Sequence, residues 1–242
     1  MRTPRVYVAI ALDVGAELAL PADAAAHVVR VLRLGAGDPL ILFNGDGRDC
    51  EGRLLATRGQ ETRVLVASAG EPEPEPARRL HLAIGISRGE RMDFVIQKAV
   101  ELGVASVRPL HTERSVVRLD AERGARRRAH WQGVLVAACE QSGRRRLPAL
   151  HPPLPLGGWL PTVDGAGVLL DPQAARSLPD LPAPTGEVTL LVGPEGGLSP
   201  EERARATRAG FVGVRLGPRI LRTETAPLAA LAAMQTLWGD FR

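Results

Sequence analysis

Apolar residues alternate along the first part of the chain and recur at helical spacing further on. The β-rich run Val6-Tyr7-Val8-Ala9-Ile10 opens the series, and residues 39–43, 50–56 and 62–67 continue it as predicted strands. Turn signals divide them at Gly35-Ala36-Gly37-Asp38, Asn44-Gly45-Asp46-Gly47 and Arg58-Gly59. One helix is predicted over residues 24–34, with Pro21 and Asp23 near its start and Gly35 beyond its end. Several short strands and one helix suggest a small β-barrel, a common platform for nucleic acid.

Residues 71–76 read Glu-Pro-Glu-Pro-Glu-Pro. Alternating proline removes backbone donors and holds an extended chain, while the glutamates repel one another and stay hydrated, so the tract is predicted to be a linker. The division expected is a domain over residues 1–70, a linker over 71–77 and a second domain over 78–242.

The second part alternates. Strands are predicted at residues 80–86, 104–110, 167–171, 188–193 and 212–216, with helices between them. Met92, Val95, Ile96, Ala99, Val100 and Leu102 share one helical face that Gly103 closes; residues 121–141 and 225–238 are helical as well. Strand and helix in alternation predict a mostly parallel α/β sheet, and periodicity alone would make it open and doubly wound.

Composition narrows the class. With 242 residues, 45% of them hydrophobic and 24% charged, the chain can bury a sizeable core. No apolar run reaches the roughly 18 residues a membrane span requires. Arg2 and Arg5 precede a short apolar stretch, but Asp13 and Glu17 soon interrupt it, so a signal peptide fits poorly. Cys50 and Cys139 are too few for a disulfide framework or a four-cysteine zinc site. A soluble cytoplasmic protein is expected, with neither metal nor membrane as a partner. The net charge of +4 suits a polyanion such as RNA. Lys98 is the only lysine, however, so clusters such as Arg126-Arg127-Arg128 reflect an overall arginine bias as readily as RNA contact.

Two segments carry chemistry. Residues 190–202 read as a buried strand, a glycine-rich loop at Gly193-Pro194-Glu195-Gly196-Gly197, and a helix start in which Ser199, Pro200 and Glu202 form a capping box. The loop is either an ordinary strand-to-helix turn or a ligand cradle, and its glycines would let backbone approach a ligand without a Cβ in the way. A phosphate-binding P-loop is excluded, because Lys98 follows Gln97 inside a helix; the dinucleotide fingerprint fails because Cys50 stands where a third glycine would follow Gly45 and Gly47. The second segment, Leu216-Gly217-Pro218-Arg219-Ile220-Leu221-Arg222-Thr223-Glu224-Thr225-Ala226, turns from a strand into a helix and gathers charged and hydroxyl side chains at that switch.

Together these segments resemble the cofactor-binding motifs of the SPOUT class of RNA methyltransferases, and most closely the RsmE family, the 16S ribosomal RNA uracil-N3 methyltransferases. The resemblance extends to residues 87–93 and 96–103, Glu113-Arg114-Ser115-Val116-Val117, Trp131 and residues 138–144. At the front, residues 27–34 with Gly37-Asp38 are similar to that family's PUA-like barrel. Leu198, where the family often has Phe, and Pro227 depart from the pattern without touching its core.

The resemblance implies an α/β fold with a C-terminal trefoil-knotted methyltransferase domain and a small N-terminal PUA-like β-barrel. It also implies a homodimer packed through the knot, and 16S rRNA of the small ribosomal subunit as substrate. The cofactor would be S-adenosylmethionine, held by Leu169, Leu170, Val192, Gly193, Pro194, Glu195, Gly196, Gly197, Leu216, Gly217, Ile220, Leu221, Thr223 and Ala226. Arg222 would stabilise charge on the uracil oxygens, with Glu224 or Glu195 orienting it, binding the cofactor's cationic groups or relaying a proton. Arg2, Arg5, Arg30 and Arg33 in the first domain, then Arg88, Arg91 and Arg114, are the candidates for RNA contact. Two alternatives stay open: a 2′-O-ribose methyltransferase of the same fold and a non-catalytic ribosome assembly factor.

Overall fold

A computed structural model describes residues 3–58, 61–115 and 121–241 of the chain. It divides into two compact units, one of residues 1–75 with 136–147, the other of residues 76–135 with 148–242. Arg2, Val116 and Val117 lie outside the described residues.

The first unit is built on a five-stranded sheet. Its strands are β1 (Arg5–Tyr7), β2 (Glu17–Ala19), β3 (Pro39–Phe43), β4 (Cys50–Arg58) and β5 (Glu61–Ala69), in the order β1-β3-β4-β5-β2. β1 runs parallel to β3, and the other pairings are antiparallel. Alternation works as predicted: Leu40 and Leu42, and Val64 and Val66, point inward with Val6, Val8 and Leu54. β2 lies outside the predicted strands. It is a charged edge strand paired with β5, and Glu17, which breaks the apolar pattern, marks the solvent side.

The predicted helix over residues 24–34 is shorter and irregular. An α-helix, α1 (Ala22–Ala26), passes into a π-helical turn, His27–Val31, and Arg33 adopts a positive φ of 56°. Three valines in five residues are poor helix formers, and Val28 is fully buried while Val31 is 66% exposed. The Glu-Pro tract also differs from expectation, because it is pinned. The Glu73 carboxylate accepts the backbone N–H groups of Arg145 and Arg146 at 3.0 and 2.9 Å, and the Arg146 guanidinium pairs with Glu75 at 2.8 Å. Paired backbone donors give that glutamate a fixed partner in place of water.

The second unit carries β6 (Leu80–Gly85), β7 (Ser106–His111), β8 (Ala149–Leu150), β9 (Leu154–Pro155), β10 (Ala166–Leu170), β11 (Val188–Val192) and β12 (Phe211–Val214). All are parallel, in the order β12-β10-β11-β6-β7-β8, with β9 also on β7. Every residue of β11 is buried, as a central strand covered on both faces requires. The connecting helices are α2 (Glu90–Glu101), α3 (Ala121–Ser142), whose residues from Val136 on belong to the first unit, the short α4 (Leu156–Trp159), α5 (Pro200–Arg208) and α6 (Thr225–Trp238). The capping box of α5 forms as predicted, with Ser199 Oγ accepting from Glu202 N at 3.2 Å and the Glu202 carboxylate accepting from Ser199 N at 2.9 Å. α6 buries Pro227, Ala230, Leu231, Met234, Gln235 and Trp238 along one stripe and packs against α2. Gln235 fixes that contact by donating to the Leu102 carbonyl at 2.8 Å, beside Gly103 at φ 84°. No helix among the described residues is long and apolar enough to cross a membrane.

Candidate functional site

The adjacent strands β12, β10 and β11 end side by side, and their carboxyl ends open onto one cavity of about 670 Å³. Parallel sheets place ligand crevices at this edge. Of the residues expected to hold a cofactor, Leu170, Val192, Gly193, Pro194, Glu195, Gly196, Gly197, Leu216, Gly217, Ile220, Leu221, Thr223 and Ala226 line it. Leu169 does not: its side chain is 2% exposed and belongs to the core beneath β10. Strand alternation is the reason, since it turns neighbouring residues to opposite faces.

The glycines act through close approach. A Cβ on Gly193 would lie 2.8 Å from the Leu198 nitrogen, so only glycine lets the loop fold back on itself there. Gly85, at the end of β6, would meet Pro194 Cδ at 2.5 Å if it carried a Cβ. The loop is closed by Gly197 N–H donating to the Pro194 carbonyl at 2.8 Å, and Arg114 donates to the Gly196 carbonyl at 3.0 Å.

Sequence reasoning missed several lining residues, notably Asp171, Arg203 and Arg215. Asp171 pairs with Arg203 at 3.5 Å, and Arg203 also donates to the Leu198 carbonyl at 3.2 Å. A charged residue closing the predicted strand 167–171 was the available signal.

The charged rim is organised by Arg91. Its guanidinium donates to Glu195 at 3.1 Å and lies 3.9 Å from Glu224. The Arg88 backbone N–H reaches the same Glu195 oxygen at 3.1 Å. Burial by itself would raise the Glu195 pKa, but backbone hydrogen bonds from Arg88 and from Glu195 itself, with the Arg91 guanidinium, outweigh it and hold the carboxyl below its ordinary range. Glu195 is therefore ionised near neutral pH and committed to structural donors. Arg222 and Glu224 do not line the cavity but flank Thr223, which does. The Arg222 carbonyl accepts the N–H groups of Thr225 and Ala226, both at 2.9 Å, at the start of α6. Its side chain is exposed and makes no hydrogen bond or ion pair among the described residues.

The arginines proposed for RNA separate sharply. Arg5 is corrected: its side chain is 5% exposed, pairs with Asp49, donates to the Arg144 carbonyl at 2.9 Å and stacks 4.7 Å from the Phe43 ring centre. A guanidinium so enclosed has no free face for phosphate. Arg30, Arg33, Arg88 and Arg114 are exposed, and Arg91 is half-exposed with its guanidinium engaged. Both cysteines are free and buried, and burial pushes the Cys139 thiol up to about 11, which makes it a poor nucleophile.

Residues 73–235 match the family model described as an RNA methyltransferase domain, and residues 20–61 match the RNA methyltransferase PUA domain. The chain is 31% identical over 241 residues to ribosomal RNA small subunit methyltransferase E of Buchnera aphidicola, covering 99% of this chain and 98% of that one. It is 33% identical to the Bacillus subtilis protein of the same name, covering 88% and 89%. A methyltransferase of Legionella pneumophila solved with SAM superposes with a TM-score of 0.96 at 38% identity. Ribosomal RNA small subunit methyltransferase E of Neisseria gonorrhoeae bound to S-adenosyl methionine gives 0.93 at 39% identity, and both superpositions cover 100% of each chain.

Proposed function

The chain belongs to the RsmE family of S-adenosylmethionine-dependent RNA methyltransferases, and we propose that it methylates N3 of a uridine in 16S rRNA of the small ribosomal subunit, by family resemblance uridine 1498 in the usual rRNA numbering. One observation carries this reading: an unpaired arginine, Arg222, stands at the rim of an apolar, glycine-cradled pocket whose nearby carboxylates are already occupied.

The cradle suits the cofactor. Gly193 leaves the space that a Cβ would fill, and Leu216, Ile220 and Leu221 offer apolar surface for an adenine. S-adenosylmethionine bound there supplies an electrophilic methyl on sulfur, which passes to nitrogen as the carbon–sulfur bond breaks. The rest of the chemistry belongs to the protein. Uracil N3 carries a weakly acidic proton, and the nitrogen attacks once that proton has gone to solvent. The lost proton leaves negative charge spread over the flanking uracil oxygens, and the Arg222 guanidinium stabilises it. Glu195 and Glu224 serve as anchors for Arg91; the ionised, doubly hydrogen-bonded Glu195 suits that role better than proton relay.

The same reading includes a trefoil-knotted second domain and a homodimer packed through it. The alanine- and leucine-rich α6 supports close helix packing, and the exposed Phe94 on α2 and Phe241 just beyond α6 support a covered face. Arg30 and Arg33, with Arg88 and Arg114, hold the RNA backbone, and the enzyme works in the cytoplasm beside its substrate. The test is incubation with methyl-labelled S-adenosylmethionine and undermodified small subunits, then nucleoside digestion and mass spectrometry. Labelled 3-methyluridine is expected; label on a ribose oxygen, or none, would overturn the assignment.

A further inference from the structure

We infer that Arg91 is a positioning residue whose task is to occupy Glu224 and thereby leave the Arg222 guanidinium free for substrate; this deepens the function proposed above and rests on its assignment of Arg222. Three charged side chains meet at the rim, Arg91 and two acids, and Arg222 lies two residues along the chain from one of those acids. Arg91 reaches both acids, at 3.1 Å from Glu195 and 3.9 Å from Glu224. The acids differ in their other partners. Glu195 also accepts the Arg88 backbone N–H, whereas among the described residues Arg91 is the only cation within ion-pair distance of Glu224.

Removing Arg91 therefore leaves Glu195 partly anchored and frees Glu224. That carboxylate is 19% exposed on its side chain and sits two residues along the chain from Arg222, whose exposed guanidinium has no partner among the described residues and is free to take the place of Arg91. An uncompensated, largely buried carboxylate draws in whatever cation can reach it. Arg91 matches the task because a planar guanidinium presents several donors at once, whereas a lysine ammonium is a point charge that serves one acid well.

The experiment uses the full-length protein. In Arg91→Ala, turnover is expected to fall by about two- to fivefold, the factor set by having to break a new Arg222–Glu224 pair, while the S-adenosylmethionine Kd measured by calorimetry changes by less than about 1.5-fold. Adding Glu224→Gln to Arg91→Ala is expected to return turnover to the level of Glu224→Gln alone, and Arg91→Lys to fall between wild type and Arg91→Ala. Multiplicative losses in the double variant would overturn the inference. A crystal structure of Arg91→Ala supplies a readout independent of activity: the Arg222 guanidinium should lie on the Glu224 carboxylate, and an Arg222 still unpaired would overturn the proposal. Failure of the function itself would be seen separately, as wild-type protein that puts no methyl on uracil N3.

Discussion

Glu202 reaches beyond its own helix to hold Glu113: one carboxylate oxygen accepts the Glu113 backbone N–H at 2.8 Å while the other closes the α5 cap on Ser199 at 2.9 Å. The side chain is buried, so both oxygens depend on these donors. Glu113 precedes Arg114, which donates to the Gly196 carbonyl, so the cap of α5 indirectly braces the glycine loop. Glu202→Gln turns an amide NH2 toward one of the two N–H groups and is expected to cost about 1–3 kcal/mol. Thermal melts should show the loss, with cofactor affinity falling in step; an unchanged Tm would show that the brace carries no energy.

Gly193 makes a sharper prediction about the pocket. Alanine there would place its Cβ 2.8 Å from the Leu198 nitrogen and 2.9 Å from the Gly197 carbonyl carbon, both backbone atoms that cannot swing aside. The loop must open, so Gly193→Ala is expected to weaken S-adenosylmethionine binding by about tenfold or more in calorimetry. β11 ends at Val192 and its pairing is untouched, so the circular dichroism spectrum should stay that of the wild type.

Much of this site was legible because it lies where strand ends meet glycine and proline. The loop after β11 and the segment after β12 announce themselves by composition, and thirteen of the fourteen residues expected to hold a cofactor line the cavity, Leu169 being the exception. Long-range electrostatics were not legible. Nothing in the spacing of Arg91, Glu195 and Glu224 says that they meet, and Arg5 reads as a surface cation until Asp49 and Phe43 close around it. The π-helical turn was hidden for a related reason, since burial of Val28 overrides the regular helix that the pattern of residues 24–34 suggests.

Arg5 and the exposed pair Arg30 and Arg33 should therefore fail in different ways. Arg5→Ala takes away one of the two arginines on the largely buried Asp49 carboxylate, leaving Arg145 at 3.5 Å, and also empties the space over Phe43; a loss of about 1–3 kcal/mol in stability is expected, read as a lower urea midpoint. Replacing Arg30 and Arg33 with alanine should leave that midpoint nearly unchanged. It should instead weaken RNA binding and reduce the slope of log Kd against log salt by about 1 for each phosphate no longer neutralised. Equal salt slopes in wild type and double variant would remove these two arginines from the interface.

The last expectation concerns acid. Burial foremost lowers the pKa of His81, against the attraction and hydrogen bond of Glu187 at 3.0 Å and with the help of Arg79; its other ring nitrogen contacts Ser106 Oγ at 2.8 Å. Burial also lowers His111, and it lowers His151 together with Arg108, His81 and Arg128. For each, the unfolded chain takes up a proton before the folded one does. Stability is then fully present above the unfolded value of 6.5 and is lost as pH falls below it. Glu195 acts in a separate window: its depressed pKa contributes stability above 4.5 that disappears only as pH falls through the lower folded value. Melting temperatures should thus decline by on the order of a few degrees between about pH 7 and pH 5.5, before the carboxylates titrate. His81→Gln, which cannot take up that proton, should flatten the slope. An unaltered slope in that variant would assign the acid sensitivity to His111 and His151 or to groups outside the histidines.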